Sequence, residues 1–483
     1  MADFIEWQQF EELSLYIKDN DYFNTINVSR DDDYNIRYCI LCKRIDDNRV
    51  HEFSDISSFY LSKLNSLTAI PNPFLGKEYV FNGFISESFS FSPSGDLSIS
   101  GIVINVEFHY VENVSIGKPE FENVWLLNSS KQANYDQSIT KTSSGNEHYE
   151  WGDFANEDFG MGENYSTSWA GIKLKYKGYD FLLIQSDVFT KFPSTCLRFS
   201  KKQFPNDNDL YEIINTLNFI FGMTFLYLGN TKYNCKSSPV SDCYISTYRK
   251  DLKQVISEIQ YPVIPLRLTD FHGFRINTTE LINSVLLKVA NNTQYSLFQN
   301  FAFINYARTQ PNEVKIQPLA ATFDNICEKY FSNRENTVIN ADIFVELKSV
   351  IDNKIDTLSI DEKQKRILKS KTSQINNQSQ NQRNMKIFKE LGLSLSKLEE
   401  KALKKRNSSV HGGLDSKKIN EIILLSKCYY TLINRLLLRI LDIPVYIDYT
   451  LAAGVPTKIE EGQYLWYEKR EERKDPKCPS DSQ

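Results

Sequence analysis

Apolar and polar positions alternate with a period of two through much of residues 34–199, and follow a helical period from residue 278 onward. A period of two sets successive side chains on opposite faces of a strand, whereas a 3.6-residue period lines one face of a helix. Segments 34–45, 79–91, 97–111, 172–189 and 195–199 are rich in β-branched and aromatic residues and read as strands. Pro71-Asn72-Pro73, Ser94-Gly95-Asp96 and Lys177-Gly178 supply turn signals between them. Residues 104–110 alternate as a half-exposed antiparallel strand does, which sets Asn105, Glu107 and His109 on its polar face. Residues 129–168 mix Gly, Asn, Asp and Glu with aromatics and read as a long loop on the sheet domain. Residues 207–228 read as one helix, amphipathic and then buried.

The turn-rich stretch from Asn230 to about Phe274 reads as a bridge. Beyond it the period predicts helices over 279–306, 317–331, 341–355, 360–370, 383–391, 396–406 and 416–441, with an Asn/Gln/Ser-rich loop over 372–382. Ser396 and Glu399 have the spacing of a capping box at the start of the sixth of these helices. In the last, Ile422, Leu425, Tyr429, Leu432, Ile433, Leu436 and Ile440 form a broad apolar face, and Asp442-Ile443-Pro444 stops it. The fold class expected is α+β, a β-rich front followed by an all-α bundle. The domains expected are 1–229 (β-rich, sensor or regulatory), 230–277 (bridge), 278–445 (helical) and 446–483 (C-terminal extension with a flexible tail).

Composition narrows the classes. A chain of 483 residues with 41% hydrophobic and 13% aromatic content is globular and long enough for two or three domains. The amino terminus lacks the basic and apolar regions of a signal peptide, and no apolar run is long enough to span a bilayer, so a cytoplasmic protein is expected. Eight cysteines without framework spacing fit reduced thiols. Cys39 and Cys42 form the one C-x-x-C, inside a strand-like run with no second pair and no nearby His. Net charge is −5, yet residues 361–420 hold 15 Lys and Arg against 6 Asp and Glu, or +9, leaving −14 elsewhere. A local basic field in an acidic protein suits a polyanion, although a charge run is often only a solvated helix face.

Phosphate-loop, nucleophile-elbow and H-E-x-x-H patterns are absent from the sequence. The chemistry concentrates instead in Lys404-Lys405-Arg406-Asn407-Ser408-Ser409-Val410-His411-Gly412-Gly413. Arg offers a planar cationic fork for phosphate, and His titrates near neutral pH. Together they supply what metal-free RNA cleavage requires, a phosphate clamp beside a proton shuttle. Arg406 and His411 are the candidate catalytic pair with Asn407 in support, and Lys404 and Lys405 the candidate RNA contacts; no metal and no cofactor is called for. A plainer alternative is a basic last helical turn ended by Gly. On a continuous helix, positions 406 and 411 point about 140° apart, so one chain does not aim both at one phosphate. Either the helix bends at its Gly412-Gly413 end or two chains share the site across a twofold axis. Sharing would also supply two imidazoles, one as base and one as acid.

A helical bundle with R-N-x-x-x-H late in its sequence, followed by a long apolar helix, resembles the HEPN superfamily of ribonucleases. The match lies at Arg406, Asn407 and His411 and covers about residues 280–445. With its β-rich front half, the chain looks like the ApeA-type abortive-infection proteins of bacterial anti-phage defence. The resemblance implies a HEPN-type bundle and a metal-independent endoribonuclease acting as a homodimer, with the Arg and His catalytic and the polar residue after the Arg supporting them. RNA, with tRNA a candidate, would be the substrate, and a phage component a candidate trigger. Some HEPN domains bind RNA or a partner without cutting, so a non-catalytic scaffold stands as the alternative. A structural adaptor, with Arg406 and His411 as capping residues, is a third.

Overall fold

The computed structural model describes residues 13–43, 53–71, 76–91, 96–110, 117–129, 137–143, 147–151, 154–159, 166–186, 193–199, 203–235, 239–248, 252–257, 260–266, 270–271, 274–275, 277–332, 337–410, 419–451 and 454–461. Two compact units emerge. The first is Met1–Tyr261 with Leu266–Leu287, and the second is Pro262–Pro265 with Lys288–Gln483. The class is α+β: strands dominate the first unit and helices the second.

The first unit begins with β1 (Leu13–Ile17), β2 (Phe23–Arg30), β3 (Ile36–Cys42), α1 (Phe53–Lys63), β4 (Ser66–Pro71), β5 (Lys77–Phe91) and β6 (Leu97–Tyr110). These strands pair antiparallel in the order β6-β3-β2-β1-β4-β5, and β5 pairs back onto β6. The ring is a closed six-stranded barrel, an arrangement that leaves no free edge. Phe23, Ile26, Ile40, Leu67, Phe81 and Ile99 fill it, and Tyr60 of α1 and Leu64 just beyond that helix pack against them. At Gly101 in β6 an added Cβ would lie 2.0 Å from the Ile85 carbonyl oxygen of β5, so the two backbones approach too closely for any side chain.

Strand β6 joins the barrel to the rest of a single 15-stranded sheet. One edge pairs along its length with β5; the other pairs first with β3 (Ile99 opposite Ile40) and then with β15, Pro239–Ile245 (Val106 opposite Tyr244). The sheet's other strands, in chain order, are β7 (Phe121–Leu127), β8 (Gln137–Ser143), β9 (Glu147–Trp151), β10 (Phe154–Phe159), β11 (Ser166–Tyr176), β12 (Tyr179–Ser186), β13 (Ser194–Phe199) and β14 (Leu226–Tyr233). The spatial order from β6 is β15-β14-β7-β13-β12-β11-β8-β9-β10. Every residue of β7 and β13 is buried, as befits central strands. Helix α2 (Asp207–Phe221) buries Leu210, Ile213, Leu217 and Ile220, while α3 (Leu252–Ser257) lays Leu252 and Val255 against Trp125, Leu127 and Leu228.

Three expectations change here. Within the loop expected over 129–168, residues 137–143, 147–151 and 154–159 are instead three strands that extend the sheet; at a sheet margin, polar residues are compatible with pairing, and composition concealed it. The helix expected over 207–228 ends at Phe221, because Gly222 takes a left-handed conformation (φ 57°) and returns its N–H to Asn218 and Phe219. Residues 226–233 and 239–245, partly assigned to a bridge, form β14 and β15 inside the sheet. His109 is exposed on β6, as alternation implied, and Nε2 lies 3.4 Å from Glu107.

Helix α4 (Thr278–Asn291) crosses the division between units, and two short strands, β16 (Asp270–Phe271) and β17 (Phe274–Arg275), precede it. The second unit contains α5 (Leu297–Thr309), α6 (Asn312–Phe331), α7 (Ala341–Asp356), α8 (Glu362–Gln374), α9 (Gln380–Glu390), α10 (Lys397–Val410), α11 (Ile419–Ile440) and a hairpin of β18 (Val445–Asp448) and β19 (Val455–Lys458). The single helix expected over 279–306 is divided at the polar run Asn292-Thr293-Gln294 into α4 and α5. The core joins α6, α9 and α11, where Phe323 stacks on Phe388 (5.7 Å, 17°) and meets Tyr429 edge-on (6.4 Å). The apolar face of α11 is buried as its periodicity requires: Leu425, Tyr429, Leu432, Ile433, Leu436 and Leu437 are all interior. Among the described residues, no helix is long and apolar enough to cross a membrane.

Candidate functional site

Helix α10 carries the Arg-Asn motif, and its start is built around a buried carboxylate. The Ser396 N–H donates to Glu399 Oε2 (2.7 Å), and the Glu399 N–H donates to Ser396 Oγ (3.2 Å), so the capping box forms reciprocally. Glu399 Oε1 then accepts from Arg435 Nη1 of α11 at 3.2 Å. Arg435 is 0% exposed; it also donates from Nε to the Ile459 carbonyl (2.8 Å) and from Nη1 to the Ser394 carbonyl (3.2 Å). Its guanidinium stands 5.8 Å from the Tyr446 ring centroid. Burial holds the Glu399 carboxyl above its ordinary range, opposed by the Arg435 charge and the Ser396 hydrogen bonds. Nearer the surface, Lys401 of α10 pairs with Glu421 of α11 at 2.9 Å. One end of α10 is thus fastened to α11 by a buried pair and the same flank by an exposed one.

From that anchor the helix runs unbroken to Val410. Leu398, Glu399, Ala402 and Leu403 form its buried stripe. Lys404 is exposed and lies 3.6 Å from Glu400 one turn earlier. Lys405, Arg406 and Asn407 belong to the last turns of α10 by backbone, while their side chains lie outside the described residues. His411 lies wholly outside them. The backbone therefore sets Arg406 and Asn407 on one continuous helix, and the relation of either side chain to His411 is not among the described contacts.

Two other groups bear on chemistry, the first of which sequence reasoning missed. Glu122 on β7 is 2% exposed, hydrogen-bonded to the Asn230 side chain, and faces Lys232 across the register of β7 and β14. Its Oε2 is buried with no hydrogen-bond partner among the described residues. Burial pushes this carboxyl up to about 7, against the pull of Lys232 and Asn230. The E-N-V spacing carries no signal for this, because Asn230 and Lys232 arrive from a strand more than a hundred residues away. Cys39 and Cys42, three apart on β3, fall on opposite faces: Cys39 is exposed, while Cys42 is in the barrel core and pushed by burial up to about 12. Among the described residues no three His, Cys, Asp or Glu side chains are grouped as a metal ion would need.

Compared with protein-family models, curated proteins and solved structures, the chain has no match.

Proposed function

We propose that the chain is a metal-independent endoribonuclease of the HEPN type, similar to ApeA-like proteins and acting in bacterial abortive infection. The observation that carries this is the continuity of α10: Arg406 and Asn407 ride a helix that stays regular to Val410 and is held at its start by the buried Glu399–Arg435 pair. A phosphate clamp needs such a fixed backbone, since a misplaced donor loses most of its effect on the transition state. In this reading the RNA 2′-oxygen attacks the adjacent phosphorus as the bond to the 5′-oxygen breaks. One His411 takes the 2′ proton, its symmetry mate in a homodimer protonates the departing 5′-oxygen, and Arg406 from each chain holds the phosphate. Asn407 supports the pair, and Lys404 and Lys405 guide the RNA, with tRNA the candidate substrate. The β-rich unit restrains the nuclease or senses a phage component in the cytoplasm.

The test is total RNA from cells producing the full chain or its His411→Ala variant. RNA fragmentation and growth arrest are expected only with His411 present. Identical RNA damage from both would overturn the assignment. An intact RNA pool from both, with RNA still bound by the purified chain, would instead support the non-cleaving scaffold.

A further inference from the structure

The α7–α8 hairpin carries an open groove. Nine of the nineteen large apolar side chains that are exposed among the described residues lie between Val338 and Ile375, so exposed apolar surface concentrates on this hairpin. Its helices meet along an inner seam of Phe344, Ile351 and Ile355 on α7 and Thr372 on α8, which are buried or half-buried. Beside that seam, Ile343, Leu347, Val350 and Lys354 step along α7 by four, three and four residues, and all are exposed. On α8 and its cap, Gln364, Leu368, Lys371 and Ile375 step in the same way and are exposed too. This is the spacing of a coiled-coil seam. At about 100° per residue both stripes fall on the same rotational side of the inner seam, which in an antiparallel pair brings them to one side of the hairpin.

Counted from the turn at 357–361, Ile343 is level with Ile375, Leu347 with Lys371, Val350 with Leu368, and Lys354 with Gln364. The two stripes flank a groove about 16 Å long at 1.5 Å per residue, the length of about three turns of a third helix. The groove is preformed. At the hairpin base Asn376 Oδ1 accepts the N–H groups of Val338 (3.1 Å) and Ile339 (2.8 Å), while its Nδ2 donates to the Ile339 carbonyl (3.0 Å). Asn340 caps α7, Asp361 and Gln364 form a capping box on α8, and Lys369 bridges to Asp356 at 2.7 Å.

Charge along the groove identifies the occupant. Among the described residues, Lys354 and Lys371 are the charged positions in the two stripes. By the same count Glu346 and Lys363 fall on the outer rims, turned away from the groove, and Asp342, Asp352, Asp356 and Arg366 fall on the opposite side of the hairpin. A second copy laid in this groove would add two more lysines and no carboxylate, which sets like charge on like. A bilayer presents a plane, which leaves the floor of a groove between two helices unfilled. We propose that the groove takes one acidic amphipathic helix of a partner protein. Its apolar stripe lies between Ile343 and Val350 on one wall and Leu368 and Ile375 on the other, and its carboxylates meet Lys354 and Lys371.

The probe is a blocked synthetic peptide of about 20 residues with Leu at heptad positions a and d and Glu at e and g, whose like charges keep it from pairing with itself. Fluorescence anisotropy of the labelled peptide, titrated with the full chain, is expected to show saturable binding. A peptide with Lys in place of every Glu is expected to bind about tenfold more weakly or worse. Val350→Asp with Leu368→Asp is expected to weaken the acidic peptide about tenfold or more, with circular dichroism unchanged because both positions are exposed. Lys354→Glu with Lys371→Glu is expected to reverse the preference between the two peptides. Absence of saturable binding, equal binding of both peptides, or binding indifferent to the two aspartates overturns the proposal. So does a dimer in sedimentation velocity, or adhesion to phosphatidylserine vesicles, that the two aspartates abolish, because either gives the groove another occupant. The readout is peptide binding, so this proposal stands or falls separately from the nuclease reading.

Discussion

Arg435 of α11 holds Glu399 of α10 across 3.2 Å in a setting where the guanidinium has no solvent exposure at all. A charge buried in this way is stabilised only while its partner remains, because the solvation it gave up is not restored when the partner is deleted. Arg435→Met is expected to lower stability by about 3–5 kcal/mol, and Glu399→Gln by less, since the amide oxygen still accepts. Urea unfolding followed by far-ultraviolet circular dichroism measures both. A loss under about 1 kcal/mol for Arg435→Met would mean that the pair does not fix α10.

Glu122 makes stability depend on pH. Its folded-state value, pushed by burial up to about 7, exceeds the ordinary 4.5, so the folded chain holds a proton that the unfolded chain releases between those values. Its contribution is therefore full below about 4.5 and is lost as pH rises through about 7. Glu122→Gln, which keeps the neutral shape, is expected to flatten the fall in unfolding free energy between about pH 5 and pH 8, on the order of 3 kcal/mol. Parallel pH profiles for wild type and variant would place the carboxyl in its ordinary range.

Gly101→Ala forces the β5 backbone away from β6 at the barrel's closing pair, since the new Cβ would meet the Ile85 carbonyl at 2.0 Å. A loss of about 2 kcal/mol or more is expected by denaturant titration. An unchanged midpoint would mean that the barrel relaxes there freely.

Arg406→Lys is expected to reduce RNA cleavage nearly as much as Arg406→Ala, because an ammonium keeps charge but loses the planar fork. Initial rates on a labelled RNA compare the two. Full activity in the lysine variant would reduce the role of Arg406 to bulk charge and favour the scaffold alternative.

What was legible in the chain follows from distance along it. The capping box at Ser396 and Glu399 is a local spacing, and both reciprocal bonds form. The second partner of Glu399, Arg435, is 36 residues away and leaves no local period. Helix α7 begins at the expected Ala341, where Asn340 caps an uninterrupted run, whereas α2 stops at Phe221, short of the expected residue 228, because Gly222 ends it. Barrel closure through β5–β6 and β1–β4, and the polar strands β8–β10, depend on pairing partners that composition does not encode. Arg406 stands at the end of the helix expected over 396–406, and the helix runs on through Asn407 to Val410; His411, their proposed partner in chemistry, lies outside the described residues.

The central claim is RNA cleavage through the 2′-hydroxyl by Arg406 and His411 without metal. Its most direct measurement is the end chemistry of RNA incubated with the purified full chain, and with His411→Ala, in EDTA. The account predicts fragments ending in 2′,3′-cyclic phosphate and 5′-hydroxyl from the wild type, and a rate about 10²–10⁴-fold lower from the variant. Cleavage of undiminished rate by His411→Ala, or activity that vanishes in EDTA and returns with Mg²⁺ to give 5′-phosphate ends, would contradict it.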